Sequence, residues 1–347
     1  MPAINPITIV GGGLAGLALG IGLRQHSVPV LIREAGDYPR HRVCGEFISG
    51  QGQSALRNLN LLELFHNAGA RVASTSAFFS ASKSFPVRAL PQPAICLSRF
   101  LLDELLAKKF LHSGGEMVRG LRWQEGELGA GVVRASGRRS RAVENGWRWF
   151  GLKAHAQKVN LSADLEMHLV PQGYVGLCRL KNGETNVCGL FRRRKDEPNV
   201  SQGIVERLRD KAGSILHERL KFAVWDEQSI CAVGGLSLSP RCVRTLDECC
   251  IGDALTMIPP ITGNGMSMAF ESAEIALLPL VAYSKGEISW EAARQAINER
   301  CDLHFARRLR VAKWLQRGLF QPWFQTMVLP MALNWNALWK LTFAVTR

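Results

Sequence analysis

The sequence predicts a mixed α/β fold: a parallel sheet covered by helices, an inserted and mostly antiparallel sheet, and a helical C-terminal segment. Three observations carry that expectation. A β-branched run, Ile7-Thr8-Ile9-Val10, leads straight into a glycine turn and then an apolar, helix-forming stretch. A second glycine-rich turn with an apolar helical stretch behind it stands far downstream, at 252–278. Between the two, short apolar runs alternate with turn residues, and after residue 290 the chain becomes helical and basic.

The first element is the most explicit. Gly11-Gly12-Gly13-Leu14-Ala15-Gly16 satisfies G-x-G-x-x-G directly after the strand, Leu17 to Arg24 continues as a helix, and Val28 to Glu34 forms a second strand ending in an acid. Each part has a physical task in a Rossmann-type dinucleotide site. Gly11 permits the tight turn, Gly13 lets backbone N–H groups approach a diphosphate, and Gly16 lets helix and strand pack closely. The helix N-terminus adds partial positive charge at the phosphates, and Glu34 is placed to accept hydrogen bonds from a ribose. The motif alone does not separate NAD from FAD.

The second element reads Cys249-Cys250-Ile251-Gly252-Asp253-Ala254, then a proline-bearing loop, then Gly263-Asn264-Gly265-Met266. It predicts a strand ending at Gly252-Asp253 and a helix starting near Gly265. An aspartate at a strand end can hold a sugar or ribityl hydroxyl. Glycines at 263 and 265 let backbone press against a flat ligand, towards which the helix N-terminus is aimed.

Gly252, Asp253, Ala254, Pro260, Gly263 and Gly265 fall at the spacing of a second FAD fingerprint. The chain thereby resembles the aromatic-hydroxylase class of FAD-dependent oxidoreductases (p-hydroxybenzoate-hydroxylase-like), which also contains geranylgeranyl reductases and flavin-dependent halogenases. The resemblance extends to Arg99-Phe100-Leu101-Leu102-Asp103 and its following Leu106, similar to a helix whose arginine lies near FAD. Pro39-Arg40-His41-Arg42-Val43-Cys44-Gly45-Glu46 is similar to the Cys-Gly segment that the geranylgeranyl-reductase-like branch carries beside the isoalloxazine. Tyr174 and Asn186 sit in stretches similar to paired strands of that branch. The resemblance implies a glutathione-reductase-like FAD domain with cofactor contacts from Gly11, Gly13, Leu14, Ala15, Gly16, Glu34, Ala35, Arg42, Cys44, Arg99, Gly252, Asp253, Pro260, Gly263, Asn264, Gly265 and Met266. Cys44 and Glu46, with His41 beside them, are the candidates for chemistry. Three departures stand out. Ser136 replaces the aspartate of the family's Gly-Ala-Asp-Gly segment, Thr256 stands where many hydroxylases have histidine, and Ser267 where they have asparagine.

These signatures place a discontinuous FAD domain at 1–75, 96–145 and 241–285. A substrate-binding sheet domain takes 76–95 and 146–240, and a helical segment takes 286–347. Trp147-Arg148-Trp149 invites comparison with the Trp-x-Trp of halogenases but lacks the following Ile-Pro; sheet aromatics are the expectation. The charge run Arg192 to Asn199 reads as a solvated connection.

Composition limits the rest. In 347 residues, 47% hydrophobic and 21% charged, the balance is that of a globular chain and excludes disorder, collagen and simple coiled coil. A net charge of +14 favours anionic partners. Nucleic acid is not expected, because the arginines near 138, 192 and 307 are scattered and no binding signature accompanies them. Nine cysteines, an odd count without C-x-x-C or zinc spacing, indicate a reduced cytoplasmic protein and no metal. The start, Met1-Pro2-Ala3, lacks the positive n-region of a secretory signal. Residues 318–339 carry no charge, follow Arg307, Arg308, Arg310, Lys313 and Arg317, and hold Trp323, Trp335 and Trp339. That tail suits a peripheral membrane contact, an apolar wall around an oily substrate, or a helix pair packed on the body.

The functional expectation is a FAD-dependent oxidoreductase acting on a lipophilic small molecule: an isoprenoid, a polyketide or a lipid-tailed phenol. Its reaction would be hydride-type reduction or dehydrogenation of carbon–carbon bonds, with NAD(P)H or a partner electron-donor protein as reductant. The alternatives are a monooxygenase working through a flavin C4a-hydroperoxide on an aromatic ring or double bond, and a catalytically idle flavin- or lipid-binding protein.

Overall fold

The computed structural model describes residues 4–80, 83–122, 129–198, 203–244 and 246–347. Asn199, the last residue of the expected charged turn, lies outside them. In chain order the first half contains β1 (Ile7–Val10), α1 (Leu14–Gln25), β2 (Val30–Glu34), β3 (Phe47–Ile48), α2 (Gln51–Asn58), α3 (Leu62–Asn67), β4 (Arg71–Ser80), β5 (Lys83–Ser84), β6 (Arg88–Cys96), α4 (Arg99–His112), β7 (Glu116–Arg119) and β8 (Val132–Arg134). The middle holds β9 (Trp147–Gln157), β10 (Leu165–Val170), β11 (Gly173–Arg179), β12 (Thr185–Arg194), α5 (Ile204–Arg209), α6 (Ile215–Leu220), β13 (Val224–Gly234) and β14 (Cys249–Cys250). Four helices complete the chain: α7 (Gly265–Ser284), α8 (Trp290–Leu319), α9 (Leu329–Asn334) and α10 (Asn336–Thr346).

Two sheets organise these elements. The first is parallel, in the order β14-β8-β1-β2-β7, so its strands come from chain positions as far apart as residues 7 and 250. Its crossover helix α1 is apolar on every side and buried from Leu14 to Leu23, as a helix enclosed by protein must be. Glycines let its neighbours in: a Cβ on Gly20 would meet the Phe110 ring of α4 at 2.9 Å, and one on Gly22 would meet Leu277 of α7 at 3.2 Å. Helix α7 is the one helix among the described residues long and apolar enough to cross a membrane. Yet 61% of its most apolar window is buried within the protein, where it packs on α1, α2 and α8.

The second sheet runs β13-β9-β12-β11-β10-β4-β6-β3, with β5 paired to β4, and is antiparallel except where β10 meets β4. Tyr174 and Leu190 pair directly across β11 and β12. Two segments assigned from sequence to the nucleotide domain belong to this sheet instead. Strand β4 begins at Arg71, before the expected boundary at 75/76, and Phe47-Ile48 pairs with β6. The opening of β4, Arg71-Val72-Ala73-Ser74-Thr75-Ser76, has too little apolar alternation to mark a strand; long-range pairing makes it one.

After α8 the chain passes through a π-helical turn (Phe324–Val328) and two short helices. Leu333, Trp339 and Phe343 pack on Ala73, Leu90, Ala94 and Cys178 of the large sheet. Trp314, Trp323, Met327, Met331, Trp335 and Leu341 each leave more than half of their surface exposed. The tail is thus docked on the body by one side and apolar on the other.

Candidate functional site

The first glycine turn is built for a backbone cradle. Gly11 has φ +112°, and a Cβ there would lie 2.4 Å from the Ala135 carbonyl oxygen. A Cβ on Gly16 would lie 2.0 Å from the carbonyl oxygen of Gly11, so the helix touches the turn itself. Gly13 is the opposite case: a Cβ would meet nothing within 4 Å. Helix α1 begins there with no side-chain cap, leaving the first-turn N–H groups of Leu14 and Ala15 aimed into that open space. This arrangement fits an anionic diphosphate.

Glu34, at the end of β2, accepts from the Gly12 N–H at 2.6 Å with one oxygen. With the other it accepts from the Gly36 N–H at 2.9 Å and from Arg40 at 2.7 Å. Burial would raise its pKa, but Arg40 and the two N–H donors hold it below the usual carboxylate range. Sequence reasoning missed Tyr38, whose hydroxyl donates to the Gly12 carbonyl and whose ring lies under the Arg40 guanidinium. Ala35 is exposed beside this group. Arg42 sits below its ordinary value through desolvation and repulsion from Arg40 and Arg99, a concentration of positive charge next to the cradle.

The second turn closes on the first. Strand β14 ends at Cys250 rather than at Gly252-Asp253, and a 3-10 turn carries Gly252 to Ala254. Gly252 has φ +59°, and a Cβ there would come within 2.9 Å of the Ala15 Cβ. Asp253, next in the chain, is exposed beside the start of α1. The surrounding protein mass pushes its carboxyl up to about 6, against the attraction of Arg99 and Arg138. Pro260 starts another 3-10 turn that ends at left-handed Gly263, whose absent Cβ makes room for the Phe47 ring. Gly265 opens onto free space, and Met266 is buried. Asn264 departs from expectation: its side chain is buried and donates to the Thr346 carbonyl, so its amide anchors the end of α10. Thr256 accepts from the Arg241 N–H at 3.0 Å, and Ser267 donates to the Ser49 carbonyl at 2.9 Å. Ser136 accepts from Arg134 at 3.1 Å directly beneath Gly11. All three substituted positions thus serve internal hydrogen bonds.

Arg99 joins the two turns to the Cys44 segment. It is clamped by Asp103 at 2.6 and 2.8 Å, which holds the guanidinium above its ordinary pKa despite burial. The Cys44 carbonyl accepts from Asn186 of β12 at 2.9 Å, tying the loop to the large sheet. Burial pushes the Cys44 thiol up, Arg99 notwithstanding, so it is a protonated thiol at neutral pH.

Glu46, a candidate for chemistry by its place in the sequence, is enclosed by the protein. It is fully buried and has φ +60°. One oxygen accepts from the Arg99 N–H at 2.8 Å and from Lys153 at 3.0 Å; the other faces His155 Nε2 at 2.7 Å. Burial works against ionisation, but His155, Lys153 and the Arg99 N–H hold the carboxyl below its ordinary value. His155 in turn lies 3.1 Å from Glu184 through Nδ1 and is held above its ordinary value by Glu184 and Glu46, which outweigh desolvation. His41 stacks on Phe100 and is pushed down to about 4 by burial, Lys153 and His155. Lys153 and His155 occupy alternate positions of one strand. Two ionisable residues on one face of an otherwise apolar run were the available signal.

Trp147 and Trp149 are sheet residues of β9, as expected. The Arg192 guanidinium stacks 3.9 Å over Trp147 and 4.0 Å over Phe320. They line a cavity of about 200 Å³ together with Leu238, Pro259 and Gln316.

No protein-family profile matches the chain. Conditioned medium factor receptor 1 of Dictyostelium discoideum is 21% identical over 339 residues, covering 84% of this chain; the chain spans 66% of that relative's length. A flavoprotein/dehydrogenase from Cytophaga hutchinsonii superposes with a TM-score of 0.77 at 14% identity, over 99% of this chain and 92% of the other. A halogenase variant crystallised in complex with FAD superposes with a TM-score of 0.72 at 15% identity, over 91% and 77%. At these identities the likeness is one of fold, a fold shared with a flavoprotein/dehydrogenase and with a halogenase that binds FAD.

Proposed function

We propose that this protein is a FAD-dependent oxidoreductase of the geranylgeranyl-reductase-like branch, acting on a lipophilic small molecule by hydride-type reduction or dehydrogenation of a carbon–carbon bond. The observation that carries the reading is the contact of the two glycine turns. Gly252 seats against Ala15 and the Gly12 N–H bonds to Glu34, so the open N-terminus of α1, the Glu34 carboxylate and the Gly252-Asp253 turn are brought together from chain positions that share no local structure.

Bound FAD supplies the electron and hydride chemistry. The chain's part is placement. The Gly13 opening and the first turn of α1 would receive the diphosphate, Glu34 and Asp253 would receive sugar and ribityl hydroxyls, and Arg99 would add positive charge. The Asn264 anchor fixes the turn that leaves Gly265 open. The Asn186 bond and the Glu46 hook hold Cys44-Gly45 against the large sheet, giving the site a rigid wall. On the sheet side Trp149, Leu169, Tyr174, Leu190 and Leu238 form a packed hydrophobic cluster with Met257 and Ile261 against it, and Trp149 and Leu238 also line the cavity of about 200 Å³, an apolar wall that suits an oily substrate.

The test is product mass. Purified holoenzyme, reduced anaerobically, is incubated with a lipid and phenolic extract, and a parallel sample is exposed to air. Gain of two hydrogens without air is expected, or loss of two with oxidised enzyme. A product that gains one oxygen only in air overturns the hydride reading in favour of a monooxygenase. A chain that retains no FAD, or whose bound flavin is reduced by neither nicotinamide nor dithionite, overturns the enzyme reading. Bleaching of the flavin by NADPH or NADH identifies the donor, and the absence of bleaching by both assigns that role to a partner protein.

We also propose a peripheral contact with an anionic lipid surface. Leu303, Arg307, Arg310, Trp314 and Arg317 repeat at helical spacing along α8, and Trp323, Met327, Met331 and Trp335 follow on the exposed side of the tail. Each basic residue near such a surface contributes about 1 kcal/mol. The full chain is expected to sediment with phosphatidylglycerol-containing vesicles at low salt and not with phosphatidylcholine alone. Trp323→Ala with Trp335→Ala should lower the bound fraction several-fold. Equal recovery with and without anionic vesicles overturns the proposal.

A further inference from the structure

We propose that His155, Glu184 and Asp226 form a binding site for a divalent transition-metal ion, Zn²⁺ or Mn²⁺, apart from the glycine turns and independent of the flavin reading. The three donors come from neighbouring strands of the large sheet. Asp226 on β13 pairs directly with His155 on β9, and Glu184 immediately precedes β12 on the other side. One ligand atom from each lies within 4.8 Å of the others, and His155 Nδ1 is 3.1 Å from a Glu184 oxygen. A single ion about 2.0–2.2 Å from N and O donors fits inside such a triangle.

The strongest argument is the outer contact of the histidine. His155 Nε2 is 2.7 Å from Glu46, a fully buried carboxylate fixed by Lys153 and the Arg99 N–H. A proton on Nε2 donated to that carboxylate leaves the Nδ1 lone pair pointing at Glu184. Two lone pairs at that distance repel unless a cation lies between them. A proton on Nδ1 meets the requirement as an imidazolium held between Glu46 and Glu184; a divalent ion displaces that proton and meets it with the carboxylate–histidine–metal arrangement common in metal sites, its larger charge balanced by Glu184, Asp226 and Glu46 together. Imidazole with two carboxylates and no thiolate suits Zn²⁺ or Mn²⁺ better than a soft ion. The donors open onto a cavity of about 520 Å³ that is also lined by His41, Ser98, Asn182 and Gln228, so water or a small ligand can complete the coordination. The donors are 29 and 42 residues apart in the chain, which is why no ligand spacing shows in the sequence.

The test uses the full chain stripped with EDTA and dialysed against ZnCl₂ or MnCl₂. One ion per chain is expected, read by elemental analysis, with a raised thermal midpoint and, for Mn²⁺, loss of the free-ion paramagnetic resonance signal. Glu184→Gln combined with Asp226→Asn should weaken binding at least 100-fold while leaving far-ultraviolet circular dichroism and flavin content unchanged. Asp226 is exposed and Glu184 half-buried, and both replacements keep the size and shape of the side chain, so the pair keeps the test clear of misfolding. His155→Ala serves as a second variant with the same expected loss. No stoichiometric uptake of either ion overturns the proposal. Uptake that the double substitution does not weaken overturns it equally, because the ion would then sit elsewhere.

Discussion

Gly13→Asp is expected to yield a folded chain that has lost its FAD. The position is the N-cap of α1 with extended backbone (φ −84°, ψ −172°), and a Cβ there touches nothing within 4 Å. An aspartate at an uncapped helix start accepts first-turn N–H groups and stabilises a helix by roughly 0.5–2 kcal/mol, so the thermal midpoint of the apo chain should hold or rise. The same carboxylate fills the anion cradle and repels the diphosphate of a dinucleotide, and FAD affinity should fall at least 100-fold. Gly16→Val is the contrasting case. Its Cβ would lie 2.0 Å from the Gly11 carbonyl oxygen and its branches would press on Ile9 and Ala135, so fold and flavin should be lost together. Flavin absorbance and circular dichroism of the two variants decide the matter. A Gly13→Asp protein that purifies yellow would remove the cradle from the cofactor site.

Lys153→Met should cost about 3–5 kcal/mol of stability, because it leaves the buried Glu46 carboxylate without its ammonium partner. The Lys153 side chain has no exposed surface and lies 3.0 Å from both Glu46 and His41. Urea unfolding at neutral pH in EDTA should show a lower midpoint with an unchanged slope. The pH dependence carries a further sign. His41 has a folded value near 4 against 6.5 unfolded, so the stability it contributes is complete above pH 6.5 and is lost as pH falls towards 4. Glu46, depressed below 4.5, adds stability that is present above that value and lost below it. Because Lys153 helps to depress both groups, the variant should lose stability less steeply between pH 6.5 and 4 than the parent. Identical urea midpoints for variant and parent would show that Lys153 is not part of the buried network.

How far each feature can be read from the chain follows from the range over which its cause acts. Both glycine turns were legible because their requirements are local: positive φ at Gly11, a close approach at Gly16, an acid at a strand end and an uncapped helix beginning where glycine leaves space. The α4 helix was reached through resemblance to a family helix, and the structure supplies its local cause: Ser98 caps it, and Arg99 and Asp103 pair one turn apart. The start of β4 was not, since a polar strand is recognisable only by the partner it pairs with. Nor was the fate of Asn264, whose amide answers a carbonyl 82 positions away at Thr346.

Glu46 marks the division most sharply. Its neighbours in sequence, His41 to Gly45, mark it only as a candidate for chemistry in a loop. Its neighbours in space are Lys153 and His155, brought beneath the loop by strand β9, and they turn the residue into a buried anchor. Backbone geometry and helix-end electrostatics act between residues a few positions apart, so they are inscribed in the chain itself. Burial, ion pairing and the convergence of His155, Glu184 and Asp226 depend on which strands lie side by side, and sheet register settles that only once the whole chain has folded.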